Sequence, residues 1–527
     1  MSELPDDSVR DSVSKPKNNN ERYFRTEHLK ADLKGRSVRG GALTLSVQGC
    51  KFVLQMASTF ALARLVTPED FGLVGMVATI MGFVRIFKDL GLSKATIQRA
   101  EINHRQVSTL FWINIVFSCG IALLSIAIAP IIALIYKRPE LTWIAIVLSS
   151  GFIFAGLTVQ HQALLNRQMR FISLACIEIA ALVSGILTGI LMAWQGCPYW
   201  GIEKYWSLVA MQLAIGIITM FGVWIASGWR PGPPVRGSGI RSMLAFGGYL
   251  TGFRVLNYFT RTLDDILIGF YFGPAQLGFY NKAYKLLLLP IGQINIPITN
   301  VAIPALSRLQ NEPDRYRAYY RKGMLLIVSF GMPLVAFLFV DADQAVRLLL
   351  GEQWLEAIPI FRWLAPAAFI GTFNMAAGWV YNSLGHTNRL FQWNVLASTV
   401  TAAGFIIGLR WGTTGVAAAF SITTVVLRYP SILYCFRSTF MTVGDLLGAL
   451  WRPAVASIVA AAILFPAKYL KTNAVIGSNL LLDLVVYALL YTLLWCLLPN
   501  GIQTLREMLT LLKEIRPKAK KADNRHA

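Results

Sequence analysis

Gly41-Ala-Leu-Thr-Leu-Ser-Val-Gln-Gly-Cys-Lys51-Phe-Val-Leu-Gln-Met-Ala-Ser-Thr-Phe-Ala-Leu-Ala63-Arg-Leu-Val-Thr-Pro-Glu-Asp-Phe-Gly72 is an apolar run ending in a polar hinge. The run carries one charge, Lys51, near its middle. A second apolar run, 71–95, holds Arg85, Lys88 and Asp89, and a third, 107–135, is nearly free of charge. A bilayer core takes about 20 apolar residues of helix to cross. Strands with open edges and loops cannot cross it, because their backbone groups would find no partner in lipid. The three runs therefore read as membrane helices. An ionisable side chain at that depth is costly, and by default it marks a pathway.

The whole chain has the same character. It has 527 residues, 55% of them hydrophobic and only 14% charged, with a mean hydropathy of +0.53. Soluble chains average about 25% charged residues, so this is a polytopic membrane protein. The net charge of +22 sits largely in tails and short loops, as cytoplasmic loops require, and implies no nucleic-acid partner. The six cysteines form no CxxC or metal-like spacing, and the five histidines are scattered. Neither a metal, a cofactor nor catalysis on this chain is expected. The GxxxxGK[ST] loop of ATP-hydrolysing proteins is absent from the sequence.

Apolar segments recur at 141–164, 171–194, 205–226, 241–260, 277–301, 324–340, 358–384, 390–409, 416–436, 447–467 and 479–498. The fold expected is an all-α membrane protein of about 14 transmembrane helices. Assigning loops alternately to the two sides gives roughly a two-to-one excess of Lys and Arg on one side, which places both termini in the cytoplasm. Residues 1–40 are polar and read as a disordered cytoplasmic tail. They hold no apolar signal core, so the first hydrophobic helix doubles as the insertion signal. The linker 227–239, rich in Gly, Pro and Arg, divides the chain. Pro68-Glu-Asp-Phe-Gly-Leu73 is echoed by Pro274-Ala-Gln-Leu-Gly-Phe279. This is a parallel repeat of two six-helix lobes, its axis along the membrane normal. The expected divisions are an N-lobe at 41–239, a C-lobe at 240–438, two further helices at 439–498 and a basic cytoplasmic tail at 499–527.

Cations outnumber acids inside these spans. Lys51, Arg85, Lys88, Arg254, Arg261, Lys282 and Arg362 are the candidates for a cationic cavity. Asp89, Glu178, Asp264 and Asp265 are the candidates for ion coupling. Lys51 and Arg254 lie near mid-span on the first helix of each half, so two facing halves would bring both to a shared centre. Other positions have a plainer alternative. Arg85, Lys88 and Asp89 share one helix face and suit a local pair reaching to the interface. Arg261 with Asp264 and Asp265 suits an interfacial ion pair. Lys282, Lys285, Arg362 and Arg428 suit snorkelling. A wet cationic cavity takes a phosphate or pyrophosphate, held bidentately by Arg and as a point charge by Lys. The aromatics Tyr249, Phe253, Tyr258, Phe259, Tyr280 and Tyr284 fit either sugar stacking or an interfacial belt.

Several stretches resemble the bacterial polysaccharide transport flippases. They are Ala63-Arg-Leu-Val-Thr-Pro-Glu-Asp-Phe-Gly-Leu-Val-Gly-Met76, Phe87-Lys-Asp-Leu-Gly-Leu92, Gln106-Val-Ser-Thr-Leu-Phe-Trp112, Leu277-Gly-Phe-Tyr-Asn-Lys-Ala-Tyr284 running into Lys285-Leu-Leu-Leu-Leu-Pro290, Pro304-Ala-Leu-Ser-Arg-Leu309 and Gly351-Glu-Gln-Trp354. The resemblance covers roughly residues 40–440. It is nearest to the colanic-acid, exopolysaccharide and lipopolysaccharide branch of the multidrug/oligosaccharidyl-lipid/polysaccharide exporter superfamily. It implies a two-lobe, V-shaped inner-membrane transporter working by alternating access about the linker. The implied cargo is an oligosaccharide repeat unit on undecaprenyl pyrophosphate, its polyprenyl tail left among membrane lipid. Polysaccharide polymerase and chain-length machinery are the implied protein partners. Superfamily members carry cations on the first, second and eighth helices, and Lys51, Arg85 and Lys282 stand in the matching regions. Two rival functions remain. A drug or cation exporter of the same superfamily would be dominated by acidic intramembrane residues. A membrane glycan polymerase would need a large polar loop or a catalytic acid cluster.

Overall fold

The computed structural model describes residues 33–85, 96, 102–195, 203–235, 241–437, 439–470 and 479–515. The chain divides into two compact units, Met1–Ala275 and Gln276–Ala527. Among the described residues there is no strand, so the all-α expectation holds. Among the described residues eight stretches are long and apolar enough to cross a membrane, and the bent pair Thr262–Leu288 with Pro290–Arg308 makes a ninth if taken as one span. One of them, 388–436, holds two helices separated at Gly412, whose φ is +74°.

Unit 1 begins with α1 (Leu33–Leu65), which starts well before the apolar run does. The hinge then works as a helix start. The Thr67 backbone N–H (3.2 Å) and hydroxyl (2.5 Å) both donate to the Asp70 carboxylate. The Asp70 N–H donates back to the Thr67 hydroxyl, 3.2 Å away. With Pro68 at the first helical position, this caps α2 (Pro68–Arg85). Two turns of sequence logic meet at Gly72: a Cβ there would strike the backbone carbonyl of Pro274, in the echoing hinge.

The helices α3 (His104–Tyr136), α4 (Glu140–Arg167), α5 (Phe171–Gln195) and α6 (Tyr205–Ser227) follow. A capping box of Asn103 and Gln106 opens α3. Gly156 of α4 lies against Ser118 of α3, with no room for a Cβ, so these two helices cross closely, as small residues allow within a membrane. The expected linker is anchored over its first half. Trp229 is fully buried. The Gly232 N–H donates to Ser108 (3.0 Å), the Val235 N–H donates to Thr109 (3.2 Å), and the Trp112 indole donates to the Gly232 carbonyl (2.8 Å).

The expected helices 241–260 and 277–301 lie within α7 (Arg241–Arg308), which is two helices meeting at a kink; the first runs on past Thr260. No proline lies between Thr260 and Phe272, and the Thr262 hydroxyl bonds back to the Tyr258 carbonyl at 2.8 Å. The interruption comes at Gly273, where φ is +84° and a Cβ would be strained.

In unit 2, α8 (Pro313–Val340) starts 11 residues before the expected 324, because its first turns carry charges that hydropathy discounts. It packs against α10 (Ala357–Gly371) and α14 (Val443–Leu470) and forms the core of the unit, with Met324, Val328 and Met332 buried. The short α9 (Ala342–Leu349) comes between α8 and α10. The span expected at 358–384 is α10 followed by α11 (Met375–Ser383), joined by a tightened turn in which Phe373 and Asn374 bond back three residues while Thr372 and Asn374 keep helical backbone. The hairpin of α12 (Thr387–Gly408) and α13 (Gly412–Phe436) turns where Gly408 and Gly415 pack backbone on backbone. The chain ends in α15 (Leu480–Leu497) and α16 (Gly501–Ile515), so the basic tail starts as a helix.

Candidate functional site

Lys51 on α1 does not stand alone. Its Nζ lies 2.7 Å from a Glu178 carboxylate oxygen on α5. The side chains are 23% and 35% exposed, so the pair is partly buried. Two residues from separate expectations, one for anion binding and one for ion coupling, thus form a single unit. One face of α1 also approaches α6, where Ser58 lies 3.9 Å from the Met211 sulfur.

On α7, Asp264 is buried and Asp265 half-buried, both in unit 1. The side chains of Arg85, Arg254 and Arg261 lie outside the described part of the protein, as do Lys88 and Asp89 entirely.

Unit 2 holds the other two candidates. Lys282 is buried, with Nζ 5.6 Å from the centroid of the buried Trp354 ring, an arrangement in which the ring face attracts the ammonium. Lys285, three residues on, is exposed. Arg362 on α10 donates to Asp343 of α9 at 2.5 Å, its guanidinium 5.9 Å from the Phe465 ring. Arg428 on α13 lies 5.9 Å from the Phe373 ring.

Charge-based reading of the sequence passed over two features. At the start of α14, Asp445 is almost fully buried. It is held by Arg321, by Arg317 at 3.7 Å, and by the Thr442 N–H (2.9 Å) and hydroxyl (2.8 Å). The Thr442-x-x-Asp445 spacing is the one sequence signal for that cap. The second is a cavity of about 370 Å³ within unit 1 between α2, α4 and α6. Its polar groups are Thr158, Gln162, Gln212 and Thr219, with no titratable residue in its lining.

The backbone shares the fold of solved membrane transporters. The lipid II flippase MurJ in its inward-closed conformation superposes with a TM-score of 0.67 at 15% identity, covering 86% of this chain and 97% of that one. Sequence narrows the class. Residues 61–359 match the polysaccharide biosynthesis protein family; the chain belongs to that family, and with it to the multidrug/oligosaccharidyl-lipid/polysaccharide exporter superfamily. The teichuronic acid biosynthesis protein TuaB of Bacillus subtilis is 30% identical over 363 residues, covering 68% of this chain and 74% of TuaB. The lipopolysaccharide biosynthesis protein WzxC of Escherichia coli is 24% identical over 413 residues, 77% of this chain and 80% of WzxC. The resemblance read from the hinge motifs is therefore borne out.

Proposed function

We propose that this flippase carries an oligosaccharide repeat unit, linked to undecaprenyl pyrophosphate, from the cytoplasmic to the periplasmic leaflet of a bacterial inner membrane. Both termini lie in the cytoplasm, and the flipped unit is passed to polysaccharide polymerase and chain-length machinery. The diphosphate headgroup is drawn into a cationic cavity made from Lys51, Arg85, Lys88, Arg254, Arg261, Lys282 and Arg362. The polyprenyl tail stays in lipid, and alternating access moves the polar part across. Binding must differ between the two access states for cargo to be released. Asp89, Glu178, Asp264 and Asp265 are the groups available to couple that difference to an ion.

The observation that carries this reading is the excess of cations over acids within the apolar helices of a polysaccharide-biosynthesis chain. Diphosphate is the anionic group common to lipid-linked glycans, and Arg and Lys at membrane depth are otherwise a cost without return. The test uses proteoliposomes loaded with radiolabelled lipid-linked repeat units. The expected result is time-dependent exposure of label at the far leaflet, lost in a Lys51→Ala, Arg254→Ala double variant. Full transport by that variant removes the cavity assignment. Absence of transport by the unaltered protein removes the cargo.

A further inference from the structure

We infer that the groove between α2, α4 and α6 is a track for the sugar portion of the cargo, recognised through Gln162, Gln212, Thr158 and Thr219. This rests on the flippase reading and adds to it a second, chemically separate subsite.

The groove lies wholly within unit 1. It runs along α4 from Leu148 to Gln162, about 21 Å at the rise of an α-helix, so it is elongated and lies along the helix. Its volume, about 370 Å³, is in the range of ligand pockets, which are mostly apolar with a few convergent polar groups.

The polar groups are unusual for their setting. A glutamine amide inside an apolar helix bundle normally bonds across to a neighbouring helix, since a bare amide in hydrocarbon is costly. Gln160 does so through its carbonyl oxygen, which accepts from the Thr96 hydroxyl at 3.1 Å, while its amide nitrogen is buried without a partner among the described residues. Gln162 and Gln212 are half-buried, and neither has a hydrogen-bond partner among the described residues. The Thr158 and Thr219 hydroxyls each donate to their own helix, to Phe154 and Ile215 at 2.7 Å, and so keep lone pairs to offer as acceptors. The groove thus presents two amides, able to donate and accept, and two acceptors, set among apolar walls.

That set selects a ligand class. With no lining charge, the groove has nothing specific to hold a diphosphate or a cationic drug. An acyl chain would leave both amides unpaired. A neutral, polyhydroxylated chain pairs with them, and its C–H faces suit the apolar walls. The fixed cations and the groove then divide one amphiphilic substrate between them: charge for the headgroup, neutral hydrogen bonds for the glycan.

The test compares two probes on the full-length protein in nanodiscs. One is undecaprenyl diphosphate. The other is the lipid-linked oligosaccharide pool extracted from a polymerase-deficient strain of the source organism. The unaltered protein should bind the glycosylated pool more tightly than the bare lipid. Replacing both amides (Gln162→Leu with Gln212→Leu) should cut that preference about tenfold, the loss expected when one or two net hydrogen bonds disappear. Undecaprenyl diphosphate binding should stay unchanged and so report an intact fold. Gly151→Leu gives a second route. A Cβ there meets no atom within 4 Å, so the side chain can plug the groove without displacing backbone, with the same selective loss expected. Equal binding of both probes by the unaltered protein, or retention of the preference in both variants, overturns the sugar track and leaves the flippase reading standing. Failure of the unaltered protein to bind either probe overturns the flippase reading itself.

Discussion

Glu178→Gln should tighten headgroup binding. In the structure Lys51 already has an anion, the Glu178 carboxylate at 2.7 Å, and a diphosphate can use Lys51 only by displacing it. The strength of that competitor follows from its surroundings. A fully solvated ion pair contributes up to about 1 kcal/mol. Removing one member of a fully buried pair costs about 3–5 kcal/mol. With side chains 23% and 35% exposed, this pair falls between the two, at about 1–2 kcal/mol. Neutralising Glu178 removes that competition, and the dissociation constant for a diphosphate should fall roughly 5- to 30-fold. The measurement is calorimetric titration of the purified protein with farnesyl diphosphate, a water-soluble molecule with the same headgroup. Lys51→Ala should move affinity the other way. The double variant should show a coupling energy of the same size as the pair. Transport should not rise with affinity, because a headgroup held too tightly in one access state is released slowly. Unchanged or weaker farnesyl diphosphate binding by Glu178→Gln refutes the idea that Lys51 serves the headgroup.

Three further outcomes follow from packing. Asp445→Asn leaves Arg317 and Arg321 without their counter-charge; with both arginines partly exposed it should cost about 1–2 kcal/mol, read as a lower thermal midpoint at a fixed scan rate in detergent. Gly72→Ala forces a methyl group against the Pro274 carbonyl and should destabilise by about 1–3 kcal/mol, whereas Gly151→Ala, with open space around it, should be neutral or slightly stabilising in the same melt. Trp229→Ala empties a fully buried site and removes the indole bond to His104 at 3.1 Å. It should cost about 3–5 kcal/mol and raise hydrogen exchange at the Gly232 and Val235 amides, and unchanged exchange there would show that the bonds to Ser108 and Thr109 hold the linker without Trp229.

The parts of the fold legible in the sequence are those fixed by residues close together in the chain. The Thr67-Pro68-Glu69-Asp70 hinge is one: proline at the first helical position and a reciprocal side-chain cap need only four consecutive residues. Segment ends were less visible wherever a helix begins amphipathic. Residues 313–323 look like loop because Asp314, Arg315, Arg317, Arg321 and Lys322 lower the hydropathy, yet Tyr316 and Tyr320 are fully buried on the other face. The tightened turn between α10 and α11 keeps helical backbone at Thr372 and Asn374. It leaves the apolar run uninterrupted, so hydropathy reads one span there.

The site divides along the same line. Cations inside apolar spans stand out because an unpaired charge in lipid is costly wherever the chain folds. Their partners do not, since Glu178 lies 127 residues from Lys51, and only the approach of α5 to α1 joins them. The glutamines of the groove were missed for an energetic reason. A single amide costs far less to bury than a charge, so one Gln in a helix carries little signal. It becomes informative only when Gln162 on α4 and Gln212 on α6 line one cavity and neither finds a partner among the described residues. A search for intramembrane charge is therefore blind to neutral polar groups of this kind. For a substrate that joins a diphosphate to neutral sugar, contact with such groups is where one repeat unit can be told from another, because the diphosphate is common to all of them.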